Sequence, residues 1–213
     1  MNYRDFLQKL IYYCIDPVVK LLAWLHITPN MVTFGGFVGN VVAAGLFVVA
    51  ADQQCDMQAL ALVGWGGAII LFAGLFDMLD GRLARVSGQS SRFGALWDST
   101  LDRYSELVTL GGIAYYFLAT GLSVTGIWTF AALVGSVMVS YVRARAEAIG
   151  IECKVGLMQR PERVVLTALG AIATALTLDI LWLAAAMAII AILANATAFY
   201  RVWHCYKQLR NDR

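Results

Sequence analysis

Six long apolar runs dominate this chain of 213 residues and leave it few ways to fold. They span Met31–Ala51, Ala59–Phe76, Phe93–Ala119, Val124–Val142, Val164–Leu178 and Ile180–Tyr200. A helix needs about 20 mostly apolar residues to cross the hydrocarbon core of a bilayer. Backbone polar groups find no water there, so each crossing segment must satisfy its own hydrogen bonds. The runs therefore predict an all-α integral membrane protein with six transmembrane helices. The third run carries Asp98, Asp102, Arg103 and Glu106, and the fifth is short. Composition agrees, with 60% apolar and 14% charged residues against about 25% charged in an average soluble domain. It excludes a disordered chain, a disulfide scaffold and an ordinary soluble enzyme. A net charge of only +2 gives no electrostatic case for a nucleic-acid partner.

Charge placement orients the spans. The connections 52–58 and 120–123 and the turn at Asp179 contain no Lys or Arg. All 16 basic residues fall in the N-terminal segment, in or beside the loops at 77–92 and 143–163, at Arg103, or from Arg201 onward. By the positive-inside rule both termini and both basic loops lie in the cytoplasm, which an even number of spans permits. The expected location is the cytoplasmic (inner) membrane. Residues 1–27 are different: Phe6, Leu10, Ile15, Val18, Leu22 and Leu25 recur at helical spacing, interrupted by Arg4, Asp5, Lys9, Asp16 and Lys20. This predicts an N-terminal interfacial amphipathic helix. The first 30 residues lack the apolar core and small-residue cleavage site of a signal peptide, so the spans are expected to direct insertion. Thr28-Pro29-Asn30 reads as the turn and cap that open the first span, and Gly35, Gly36 and Gly39 as close helix packing. No internal repeat is visible, so 1–213 reads as one domain: the interfacial helix (1–27) and a six-helix bundle (28–213). Cys14, Cys55, Cys153 and Cys205 form no CxxC pair and read as ordinary reduced or lipid-facing residues.

The chemistry concentrates in Asp77-Met-Leu-Asp80-Gly81-Arg82-Leu-Ala84-Arg85 and Gly94-Ala-Leu-Trp-Asp98-Ser-Thr-Leu-Asp102. Spacings of three and four put each aspartate pair on one face of its helix. A short basic loop makes the two helices antiparallel neighbours, so four carboxylates meet just inside the membrane. Ionisable groups at that depth are expensive and mark function. Hard divalent cations are their natural counter-charge. Mg2+ or Mn2+ suits the site better than Zn2+, because no His or Cys is near. Two ions shared by four Asp would clamp phosphate oxygens, Gly81 would let a diphosphate approach the backbone, and Arg82 or Arg85 would neutralise its charge. Interhelical Asp–Arg salt bridges remain the bland alternative.

The pattern D-x2-D-G-x2-A-R-x8-G-x3-D-x3-D, complete at all eight fixed positions, resembles the signature of the CDP-alcohol phosphatidyltransferase family. That resemblance, which extends to the six-span layout, implies a membrane enzyme that replaces CMP on a CDP-linked lipid with a small alcohol. It implies two Mg2+ or Mn2+ ions per subunit held by Asp77, Asp80, Asp98 and Asp102, CDP contacts from Asp77, Gly81, Ala84 and Arg85, and a homodimer. Asp102, the last residue of the motif, is the candidate general base.

A second cluster bears on the acceptor. Arg143-Ala-Arg145-Ala-Glu147, Arg160-Pro161-Glu162-Arg163 and Arg201 bring Arg to the cytoplasmic ends of three spans. Arg forks grip phosphate in two-pronged fashion. These blocks resemble those of bacterial phosphatidylinositol phosphate synthases. The resemblance implies CDP-diacylglycerol as donor, inositol 1-phosphate as acceptor, and Arg143, Arg163 and Arg201 around the acceptor phosphate. Glycerol 3-phosphate, free inositol or serine with the same chemistry is the nearest alternative. A divalent-cation transporter or a non-catalytic scaffold is more distant, since the acids lie near one face and no repeated halves are present.

Overall fold

The computed structural model describes residues 15–53 and 56–211, and all regular structure among them is helical. Residues 15–24 form α1. It is followed by α2 (Pro29–Asp52), α3 (Met57–Val86), α4 (Arg92–Ala119), α5 (Ser123–Ala148), α6 (Arg160–Thr177) and α7 (Leu181–Asn211). The expected N-terminal amphipathic helix falls largely on residues 1–14, outside the described residues. Most helices outrun their apolar runs. The second run ends at Phe76, yet α3 continues through the acidic motif to Val86, and α7 runs on past Tyr200 to Asn211. Charged residues end an apolar stretch without ending a helix, because Asp and Arg are tolerable helix formers.

Local chemistry sets the helix ends. Thr28 Oγ1 accepts the Met31 N–H at 3.4 Å, a long cap on α2. Ser91 Oγ accepts the Gly94 N–H at 2.9 Å and caps α4. After α3, Gly88 adopts a φ of +67°, the left-handed conformation that glycine takes without strain. This reverses the chain within the five residues before α4. Pro161 sits in the first turn of α6, where its missing N–H costs nothing.

Among the described residues, α2, α3, α5 and α7 are long and apolar enough to cross a membrane. The protein is therefore a multi-pass membrane protein. α4 and α6 of the six expected spans do not join them on that measure, because α4 carries Asp98, Asp102, Arg103 and Glu106, and α6, only 18 residues long, begins with Arg160, Glu162 and Arg163. Large apolar side chains such as Trp65, Phe72, Val124, Ile127, Phe130 and Phe199 are exposed, an outer face suited to lipid rather than water.

The chain divides into two compact units. In the first (residues 15–39 and 72–104 of the described chain), Val19 of α1, Val32 of α2 and Leu83 of α3 form a small core with Leu22 and Phe76 packed on it. A Cβ on Gly36 would meet Phe76 Cβ at 3.0 Å, so the glycine lets α2 lie close against α3, as expected of small residues between membrane helices. Arg82 clasps Asp16 with Nε–Oδ1 at 2.9 Å and Nη2–Oδ2 at 3.1 Å, fastening α1 to α3.

The second unit (residues 40–71 and 105–211 of the described chain) holds the main core, including Phe47, Ile113, Tyr116, Phe117, Met187 and Ile190. There α5 and α6 both pack on α7. Small residues bring helices together again: a Cβ on Gly67 would stand 2.7 Å from the Ala168 carbonyl oxygen. Asn195 Nδ2 donates to the Ala131 carbonyl at 3.0 Å, a polar tie between α7 and α5.

Candidate functional site

The first unit carries all four motif aspartates. A cleft of about 220 Å³ opens between the first turns of α2, the last turns of α3, the 89–91 loop and the first turns of α4. Asn30, Thr33, Asp80, Gly81, Ala84 and Asp98 are among the residues that line it. Two of the expected CDP-contacting positions, Gly81 and Ala84, therefore face one cavity together with two of the expected metal ligands. Apart from its chain neighbours and the backbone of its own helical turns, no heavy atom lies within 4 Å of where a Gly81 side chain would begin. Glycine inside a helix costs about 0.5–1 kcal/mol relative to alanine, and packing within the protein does not require it here.

Asp80 is 6% exposed, and its Oδ2 accepts a 2.6 Å hydrogen bond from Thr33 Oγ1. Asp77 and Asp98 both lie close enough to act on Asp80 electrostatically. Asp102 is half-buried one turn beyond Asp98 on α4. Among the described residues, no three Asp, Glu, His or Cys side chains are gathered into a group able to hold a metal ion as they stand. Arg82, one of two candidates to neutralise a phosphate, has its guanidinium on Asp16. Arg85 is exposed, and its Nε donates to the Gly81 carbonyl at 2.9 Å.

The three candidate acceptor arginines lie in the second unit, and both Arg143 and Arg163 act electrostatically on Arg201. Their surroundings differ from a simple open pocket. Arg163 is 2% exposed. It forms a two-pronged ion pair with Glu106 at 2.6 and 2.9 Å, and Nη1 donates to the Met158 carbonyl at 3.1 Å. Arg201, also 2% exposed, donates from Nε to the Val155 carbonyl at 2.8 Å and from Nη1 to the Val139 carbonyl at 2.6 Å. Arg143 is partly exposed and reaches Glu147 at 2.8 Å. Arg163 thus ties α6 to α4, Arg201 ties α7 to α5, both hold the loop before α6, and Arg143 offers the most reachable guanidinium of the three.

Glu106 and Thr33 are the two site residues that sequence reasoning passed over. Glu106 was visible only as a charge interrupting an apolar run, although its place four residues after Asp102 put it on the same helical face. Thr33 gave no signal beyond a hydroxyl near the start of a span.

Residues 26–200 match the CDP-alcohol phosphatidyltransferase family model. The chain belongs to that family and is a phosphatidyltransferase. It is 36% identical over 199 residues to the archaetidylinositol phosphate synthase of Pyrococcus horikoshii, covering 92% of each chain. It is 36% identical over 157 residues to the phosphatidylinositol phosphate synthase of Cutibacterium acnes, covering 72% of this chain and 70% of that one. The crystal structure of the Mycobacterium tuberculosis phosphatidylinositol phosphate synthase with CDP-DAG bound superposes with a TM-score of 0.79 at 30% identity, over 90% of this chain and 93% of that one. The same enzyme in complex with manganese and citrate gives 0.78 at 29% identity, over 90% and 88%.

Proposed function

We propose that this protein transfers the phosphatidyl group of CDP-diacylglycerol to inositol 1-phosphate, releasing CMP and forming phosphatidylinositol phosphate. The observation that carries the reading is the cleft in which buried Asp80, Asp98 and the open face of Gly81 meet. Its relatives support the acceptor: the P. horikoshii and C. acnes names differ in the lipid but share the inositol phosphate headgroup.

The donor chemistry around the cleft suits a hard divalent cation, because carboxylate oxygens are the preferred ligands of Mg2+ and Mn2+ and neither His nor Cys lines the cavity. The manganese complex of the M. tuberculosis enzyme supports the same choice. Asp77, Asp80, Asp98 and Asp102 would hold two such ions, which when bound supply positive charge for the diphosphate. Thr33 keeps the Asp80 carboxylate in a fixed orientation. Gly81, Ala84 and Arg85, with Asp77, receive the CDP moiety. Asp102 takes the proton of the attacking inositol hydroxyl. That hydroxyl oxygen forms the new bond to the lipid-side phosphorus as CMP leaves. Arg143, with Arg163 and Arg201 behind it, supplies the positive field that an already phosphorylated acceptor requires.

In the membrane α4 and α6 join the four long apolar helices as spans. The two basic loops and both termini face the cytoplasm, and two chains associate as a homodimer. The test is an acceptor panel with purified protein in lipid nanodiscs, Mg2+ or Mn2+, CDP-diacylglycerol and labelled inositol 1-phosphate, glycerol 3-phosphate, free inositol or serine. Label enters lipid with stoichiometric CMP only from inositol 1-phosphate. Preferential incorporation of any other acceptor contradicts the assignment, and absence of CMP release from all four contradicts the chemistry.

A further inference from the structure

A pair of thiols that the catalytic account does not use lies where the loop 149–159, between α5 and α6, meets α7. Cys153 is wholly buried in a small cluster with Ala146 and Ile151, against which Val155 and Cys205 pack. Cys205, near the end of α7, is half-buried, and both cysteines are free. Their sulfurs stand 3.9 Å apart. The residues are 52 positions apart in the chain, so sequence spacing hid the pair; both thiols are reduced, as their spacing implied. A disulfide needs a sulfur separation of about 2.05 Å, so closure asks each sulfur to move by about 1 Å. Side-chain rotation of Cys153 in the loop and of Cys205 on α7 supplies that.

The same loop supplies the carbonyls that hold the arginines: Val155 accepts from Arg201 and Met158 from Arg163. A covalent tie from Cys153 to α7 therefore acts on the segment that positions both guanidinium groups. We propose that Cys153 and Cys205 form a reversible disulfide by exchange with a low-molecular-weight disulfide, and that the bond fastens loop 149–159 to α7.

The order of events follows from access. The Cys205 thiolate attacks one sulfur of the small disulfide RSSR, forming a mixed disulfide and releasing RS−, which takes up the proton that Cys205 lost. The Cys153 thiol then gives up its proton and attacks Cys205 Sγ, expelling a second RS−. Two protein thiols are oxidised and one RSSR is reduced to two RSH. Burial, and then the neighbouring Cys205, push the Cys153 thiol above its ordinary value of 9.0, against the pull of Arg201 and Arg143. Cys153 is thus a poor first attacker and is suited to the second, intramolecular step.

The experiment uses the full chain with Cys14 and Cys55 replaced by Ser, treated with oxidised glutathione. The expected product has lost the mass of two hydrogens, contains a peptide linking Cys153 to Cys205 within one chain, and reverts with dithiothreitol. Trypsin cleavage after exposed Lys154 slows in the oxidised form. In the same background, C153S stops at a stable glutathione adduct on Cys205, and C205S leaves Cys153 unmodified. A lasting adduct on Cys205 with Cys153 still reduced, a link between two chains, or unchanged cleavage at Lys154 in the linked protein overturns the proposal. None of these readouts depends on transferase activity, so the proposal stands or falls apart from the acceptor assignment.

Discussion

Replacing Glu106 by Ala removes both carboxylate oxygens that pair with the Arg163 guanidinium and leaves it only the Met158 carbonyl. The side chains of the pair are 2% and 11% exposed, so the value of about 0–1 kcal/mol for a surface ion pair does not apply. Two short charge-assisted hydrogen bonds disappear, at 2.6 and 2.9 Å, and water has little access to replace them. Breaking a buried pair from one side costs about 3–5 kcal/mol, because the remaining charge is left uncompensated. E106A is therefore expected to lose about that much stability, or about two to four orders of magnitude in the folding equilibrium. The double variant E106L/R163M, with no buried charge left, is expected to recover most of the loss. Equilibrium unfolding in mixed micelles, run as a double-mutant cycle, measures both. A loss below about 1 kcal/mol for E106A, or additive losses in the double variant, refutes the view that this pair is dry and mutually dependent.

Three further outcomes follow from the first unit. G81A meets no neighbouring atom. It should leave stability unchanged or higher by about 0.5–1 kcal/mol while raising the KM for the CDP-lipid, and an unchanged KM contradicts the ligand-approach role. T33V removes the 2.6 Å hydrogen bond to Asp80, worth about 1.5–3 kcal/mol for a charged acceptor. It should raise the divalent-cation concentration needed for half-maximal activity, measured by metal titration. The hydrogen bond from Arg82, the largest influence, holds the Asp16 carboxyl below its ordinary value of 3.8. A carboxyl with a depressed folded-state value contributes stability that is present above its ordinary value and fades as pH falls through the lower one. Docking of α1, followed by the fluorescence of exposed Trp24, should therefore persist above pH 3.8 and loosen on further acidification, and D16N should abolish that dependence.

The meeting of Asp80 and Asp98 in one cleft was legible because helical periodicity converts sequence spacing into a shared face. Asp77 with Asp80 and Asp98 with Asp102 needed only the three- and four-residue rule, and the short turn ending at Ser91 brings their helix ends to one cleft. The apolar runs located the helices but misjudged their ends, since hydropathy measures the bilayer and not the backbone hydrogen bonds that carry α3 to Val86 and α7 to Asn211. The contacts that escaped are long-range. Arg163 with Glu106 lies across 57 residues, Thr33 with Asp80 across 47, and Cys153 with Cys205 across 52. No local period encodes such pairs. They depend on helix packing, which also turned two arginines expected to greet a ligand toward backbone carbonyls and a buried glutamate.

Anomalous diffraction at the manganese edge, from crystals grown with Mn2+ and CDP-diacylglycerol, tests the account at its centre. It predicts metal density bounded by oxygens of Asp77, Asp80, Asp98 and Asp102 beside the donor diphosphate, lost in D80N and D98N. Density bound away from these four carboxylates, or unchanged in both variants, contradicts it.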